Sequence, residues 1–185
     1  MLWRKRKTGT GKIETPKVGL SIGLGEASVV YTDGEIDGRP HVVAWESFPY
    51  ETHADIQDGL SRFVGAHGLH GEACRCTLSP NDYSLRLVER PPNVPDEELV
   101  DATRWLIRDL IEVDVERASL AILTIPEDAG RARTPRMFVV AAREESVLNL
   151  ANAITEAGLK VLGFEIIESA MLALQERLPE IVTGG

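Results

Sequence analysis

The stretch Val18-Gly-Leu-Ser-Ile-Gly-Leu-Gly25 constrains the fold most, because of the residues that come after it. An apolar run closed by glycines opens dinucleotide-binding units, where a third Gly and then a helix come next. Here the third position is Ser28. The chain continues as Ala27-Ser-Val-Val-Tyr-Thr32, which is rich in β-branched residues and forms strand. Residues 18–23 and 27–32 are therefore expected to form a hairpin about a glycine turn. Such a turn either presents backbone N–H groups to a phosphate or simply reverses the chain, and the residues alone favour the plain turn. Gly9-Thr-Gly-Lys12 fails as a phosphate loop for similar reasons. Arg6 stands where that motif needs Gly, and Ile13 stands where it needs Ser or Thr.

Beyond the hairpin, strand and helix patterns alternate. Asp33-Gly34 and Asp37-Gly38 mark a turn region, and 41–48 reads as a third strand. Ile56, Leu60, Phe63, Val64 and His67 trace a helical stripe over 52–67. A short strand over 73–78 ends in the turn cluster Ser79-Pro-Asn-Asp82, and another follows over 84–89. Asp96 is expected to cap a helix running to about Glu112, with Leu99, Ala102, Thr103, Leu106, Ile107 and Leu110 on one face. Strands over 119–125 and 136–142 flank the polar loop 126–135. A helix over 144–157 ends on Gly158, a strand covers 160–167, and a final helix over 169–178 aligns Met171, Leu174 and Leu178. Hairpins mixed with crossovers place the chain in the α/β class with α+β character and mixed sheets.

Charge and composition narrow the function. The chain has 185 residues, 43% of them hydrophobic, with a net charge of −9. It can bury an ordinary core, and its acidic balance argues against nucleic acid as a partner. The longest apolar run, residues 137–142, is far short of the roughly 20 residues a spanning helix needs. No secretory signal is expected, because no apolar stretch follows the basic residues 1–7. Two cysteines are too few for a disulfide scaffold and suggest a reducing compartment. Residues 1–17 carry six Lys or Arg against one Glu, leaving −14 in the rest. This segment reads as a flexible basic arm. Leu2, Trp3 and Arg4–Lys7 suit weak contact with anionic lipid, at about 1 kcal/mol per charge.

Most other clusters have structural explanations. His67, His70, Cys74 and Cys76 could bind zinc, but their spacing fits no common finger, and Cys74, Cys76 and Leu78 share one strand face. They are expected in the core. Ser79, Asp82 and the histidines lack a strained nucleophile elbow. Glu97-Glu98 and Glu144-Glu145 complement helix dipoles. Trp105 differs. It falls about 140° from the centre of the apolar stripe, on a face shared with Glu98, Asp101, Asp109 and Glu112. An aromatic there packs within the chain, meets a partner or stays partly exposed.

The order of these segments resembles the N-terminal half of the PilM family, actin-like cytoplasmic proteins of type IV pilus assembly, and is most similar to its MshI branch. Four segments carry the resemblance: the hairpin at Val18–Gly23; Pro95-Asp-Glu-Glu-Leu99 with Trp105; Phe138–Glu145; and Ala157–Val161 with Glu168–Leu174. The resemblance implies an actin-like, ribonuclease H-like subdomain 1A over 18–80, to which 163–185 return. It also implies an inserted 1C-like subdomain over 82–162, and a fold whose second half is incomplete. Nucleotide-binding members usually carry Asp where Ser21 stands, so Ser21, Gly23 and Gly25 mark a degenerate phosphate loop. The second phosphate loop and the adenosine loop have no counterpart before Gly185. ATP with Mg is thus expected only with a further C-terminal half.

The function that the resemblance implies is that of a non-enzymatic assembly protein, cytoplasmic at the inner membrane. Its groove between subdomains would grip the cytoplasmic tail of a bitopic pilus assembly protein. Trp105, Glu98, Asp101 and Asp109 would line that groove and favour a basic tail segment. Two other readings are an actin-like ATPase domain that needs its missing half, and a homo-oligomeric scaffold that polymerises through the inserted subdomain.

Overall fold

The glycine turn makes the expected hairpin: β1 (Val18–Ile22) pairs antiparallel with β2 (Glu26–Ile36), Ser21 facing Ser28 in register. The computed structural model describes residues 15–124 and 135–177. The basic arm through residue 14, the loop over 125–134 and Leu178 lie outside them. Contacts divide the chain into two units. Asn81–Val147 form one; the residues before it and Leu148 onward form the other.

The larger unit is built on a five-stranded mixed sheet. β2 pairs antiparallel with β3 (Arg39–Pro49), β1 pairs parallel with β4 (Ala73–Thr77), and β4 pairs parallel with β8 (Lys160–Glu165). The order is β3-β2-β1-β4-β8, so β3 is an edge. The second and third strands are longer than the sequence suggests. Asp37 and Gly38, at φ +53° and +75°, make the whole turn, the two-residue geometry that suits strand twist. Asp33-Gly34 is not a turn but an irregularity within the ladder, with Gly34 at φ +71° beside a register shift. A second shift leaves Val43 as the extra residue on β3.

Alternation puts Val18, Leu20, Ile22, Ala27, Val29, Cys74 and Cys76 on one buried face. Helix α1 (His53–His67) buries Ile56, Leu60, Phe63 and Val64, each contributing about 1.5–3 kcal/mol of transfer free energy. Its start is fixed by a capping box. Thr52 accepts from the Asp55 N–H, and Asp55 accepts from the Thr52 N–H. Gly68, left-handed at φ +66°, ends it. Helix α3 (Glu144–Glu156) buries Val147, Leu150, Ala153 and Ile154 and ends before Gly158, at φ +94°, as expected. Helix α4 (Ile167–Arg177) follows β8.

The smaller unit is a three-stranded antiparallel sheet with the order β5 (Tyr83–Glu89), β7 (Arg136–Arg143), β6 (Ala118–Thr124). Helix α2 (Leu99–Ile107) packs on it. Leu99 and Ile107 join Leu120, Met137, Val139 and Ala141 in one cluster. The contact division falls within α3, between Val147 and Leu148, and β8 belongs to the larger sheet through its pairing with β4.

Candidate functional site

The glycine turn brings Ser21, Gly23 and Gly25 together, as the hairpin reading requires. The Gly23 N–H donates to the Glu26 carbonyl at 2.8 Å, and Gly25 sits at φ +79°, where an L-side chain is strained. The turn is tied to the chain after β3. Tyr50 donates its hydroxyl to the Gly23 carbonyl at 2.8 Å and its N–H to the Gly25 carbonyl at 3.1 Å. Ser21 does not face an open phosphate site alone, because the Thr77 hydroxyl donates to its Oγ at 3.0 Å.

That bond is part of a longer pattern. Ser47 is in register with Ser28, Ser28 with Ser21, and Ser21 with Thr77. Four hydroxyls therefore cross the sheet in one line, on the face opposite the buried cysteines. Ser28 and Ser47 share a 2.7 Å hydrogen bond. Thr77 is followed in register by Glu165, which forms an ion pair with Arg75.

The histidine–cysteine cluster resolves into core and surface. Cys74 and Cys76 are each 1% exposed. Burial pushes the Cys74 thiol up to about 12, and burial with the neighbouring Cys74 pushes Cys76 well above its ordinary value. These thiols stay protonated, with their S–H groups directed at strand carbonyls. His67 is exposed and tilted against Phe63, with ring centroids 4.6 Å apart. His70 packs where a Cβ on Gly158 would collide with its imidazole. Among the described residues, no group of three or more His, Cys, Asp or Glu could hold a metal ion.

In the smaller unit, α2 is shorter than expected at both ends. Asp96 does not cap it; its carboxylate pairs with Arg90 at 2.8 Å, and Glu98 takes the N-cap position without a side-chain bond. The helix stops at Ile107 because the chain must turn back to pack Ile111, Val113 and Val115 against Leu99 and Ile107. Side chains tie down the segment that follows, and the Leu110 N–H donates to the Ile107 carbonyl at 2.9 Å. Arg86 Nε donates to Leu110 O at 2.7 Å, and Arg104 donates to the Val115 and Ala118 carbonyls. Asp109 and Glu112 thus lie past the helix end. Glu98 and Asp101 remain beside Trp105, all three exposed.

Trp105 is 69% exposed, and Leu106 and Leu110, expected on the buried stripe, are 49% and 48% exposed. The Arg108 guanidinium lies 5.8 Å from the indole centroid, within cation–π range. The sequence reading names neither Arg108 nor Trp45. The i, i+3 spacing to Trp105 signals the first. Strand alternation against Phe48 signals the second, which stands 72% exposed on β3.

No protein-family model and no curated protein matches the chain. Among solved structures it is similar to a PilM–PilN type IV pilus biogenesis complex. The TM-score is 0.73 at 22% identity, over 90% of this chain and 52% of that one. It is also similar to the cytoplasmic domain of EpsL, an inner membrane component of the type II secretion system of Vibrio cholerae. There the TM-score is 0.60 at 16% identity, over 78% of this chain and 54% of that one. The chain spans about half the length of each of these two structures. The mixed α/β fold with mixed sheets that the sequence predicts is the fold these structures share with it.

Proposed function

We propose that this chain is a PilM-type, actin-like assembly protein of the MshI branch, working at the cytoplasmic face of the inner membrane. In this reading the five-stranded unit plays the 1A role and Asn81–Val147 the 1C role. Its activity is binding, not catalysis. Its partner is the cytoplasmic tail of a bitopic inner-membrane protein of a pilus or secretion machine. Support comes from the fold shared with a structure of PilM with PilN and with EpsL. No helix among the described residues is long and apolar enough to cross a membrane. The basic arm, Leu2 to Lys7, adds a weak, salt-sensitive contact with anionic lipid.

The observation that carries the reading is Trp105, an indole 69% exposed on α2 with half-exposed Leu106 and Leu110 nearby in sequence. Burying such an aromatic against a partner contributes about 2 kcal/mol or more at an interface hot spot. The test is fluorescence anisotropy with a labelled peptide of the cytoplasmic tail of the PilN-type protein from the same organism. Trp105→Ala is expected to weaken binding at least tenfold with an unchanged melting temperature. A stable variant with unchanged affinity overturns the assignment of Trp105, and loss of fold makes Trp105 a core residue instead.

A further inference from the structure

We infer that the Trp105 face of α2 pairs with the same face of a second copy of this chain, the two helices antiparallel about a two-fold axis. The pairing goes beyond the tail-binding reading and does not depend on it.

Three side chains carry the argument. Asp101, Trp105 and Arg108 follow the i, i+4, i+7 spacing of one helical stripe. Arg108, at the C-cap, keeps the helical φ −49° and ψ −45°. Asp101 and Arg108 are two turns apart, about 10.5 Å along the axis and within about 20° around it. All three residues are exposed. Among the described residues, no ion-pair partner meets Asp101 or Arg108. The neighbour placed to pair with Asp101 at i, i+3 is Arg104, and its guanidinium donates to the Val115 and Ala118 carbonyls instead. Arg108 lies over the indole, 5.8 Å from its centroid. Contact through the flat face of a guanidinium leaves the N–H donors in its plane for a carboxylate.

The order of these groups selects the partner. A carboxylate, an indole and a guanidinium in line form a pattern that becomes its own complement when reversed. With a second α2 set antiparallel to the first, Asp101 of each copy meets Arg108 of the other. The midpoint between those residues falls half a residue from Trp105, about 0.8 Å along the axis, so the two indoles meet at the two-fold. A parallel arrangement would set Asp101 against Asp101 and Arg108 against Arg108, which repels. An acidic first turn and a basic last turn also suit the helix dipole, but the dipole gives no reason for an exposed indole between them. The contact is isologous and closes as a dimer, so it builds no filament. α2 has nine residues and is about 13.5 Å long, too short to bury the roughly 1,200 Å² of a stable complex. The dimer is therefore weak and reversible, with charge setting its register and the indoles supplying most of its affinity. A copy paired in this way has Trp105 covered, so self-pairing and tail binding exclude each other.

The test is sedimentation equilibrium of the full chain, without any tail peptide, from low micromolar to millimolar concentration. A reversible monomer–dimer equilibrium is expected. Asp101→Arg or Arg108→Asp alone should weaken it at least tenfold, because each sets like charges opposite one another twice. Equal parts of the two variants should dimerise when mixed, since every Arg then faces an Asp, and the double variant should regain most of the parent's affinity. Trp105→Ala should also weaken pairing at least tenfold. Thermal melts check the fold. If a reversal unfolds the chain, Asp101→Asn and Arg108→Gln carry the test, each with a severalfold loss. A chain that stays monomeric throughout overturns the inference. So does a dimer that the substitutions leave intact, or a pair of single variants that do not associate when mixed. With no tail present, these results overturn the pairing alone, and the anisotropy titration tests the tail reading separately.

Discussion

The ring of Phe48 on β3 occupies the space that a side chain on Gly59 of α1 would need: a Cβ built there falls 2.6 Å from Phe48 Cζ and closer still to Cε2. Gly59 sits in a helix interior, where Gly is worth about 1 kcal/mol less than Ala on propensity alone. On an exposed face Gly→Ala would stabilise. Here overpacking opposes it, typically by about 1–3 kcal/mol. Gly59→Ala is expected to lower the melting temperature. The double variant with Phe48→Leu should recover part of the loss, and a stabilised single variant would show that the two elements move apart freely.

The capping box at Thr52 and Asp55 gives a pH-dependent prediction. Two backbone N–H groups, of Glu51 and Thr52, and the Thr52 hydroxyl hold the Asp55 carboxyl below its ordinary value of 3.8. A carboxylate whose pKa is lowered by folding adds stability above its unfolded pKa. That contribution is lost as the pH falls through the lower folded value. Acid unfolding followed by circular dichroism should show the Asp55→Asn variant losing less stability than the parent below about pH 4. At pH 7 Thr52→Ala is expected to cost about 1 kcal/mol.

The two thiols should be silent in the folded protein. At pH 8 a disulfide reagent such as Ellman's should titrate neither Cys74 nor Cys76 rapidly, and both after denaturation. Linkage acts in the alkaline direction here. The Cys74 thiol ionises at its ordinary value of 9.0 when unfolded and only near about 12 in the fold. Its contribution to stability is full below pH 9.0 and is lost progressively as the pH rises toward about 12. Fast labelling of the native state would mean that β4 opens locally.

The chain is expected not to bind Mg-ATP tightly. Ser21, which has no carboxylate to hold a metal ion, instead accepts from Thr77. Calorimetry on the purified protein should show no binding heat, and a micromolar dissociation constant would overturn this.

Much of this arrangement was legible where local chemistry decides it. The Val18–Thr32 hairpin, the alternation of Cys74 and Cys76 against Arg75, and the Gly158 stop all follow from residue type and period. The end of α2 was not legible, because tertiary packing decides it: Ile111, Val113 and Val115 join the cluster that holds Leu99 and Ile107. Asp33-Gly34 carries the composition of a turn, but the ladder absorbs it as an irregularity because Asp37-Gly38 makes the tighter reversal. The row of hydroxyls was invisible for another reason. Ser21, Ser28, Ser47 and Thr77 are scattered in sequence, and only the strand registers align them. Trp105 was legible as an outlier from the apolar stripe, but its neighbours Asp109 and Glu112 were not, since periodicity assumes a helix that continues.

The parallel pairing of β4 with β8, Ala73 meeting Lys160, carries a consequence for biosynthesis. On a ribosome adding about 5–20 residues per second, β1 to β4 and α1 emerge first and can assemble among themselves. The β4 edge then waits several seconds, across the whole of Asn81–Val147, for its neighbour. During that interval an open strand rich in buried side chains faces solvent, a template for pairing with another nascent chain. Chaperone dependence should therefore concentrate in this window, and separating the chain into two coexpressed pieces after Pro80 would prolong it.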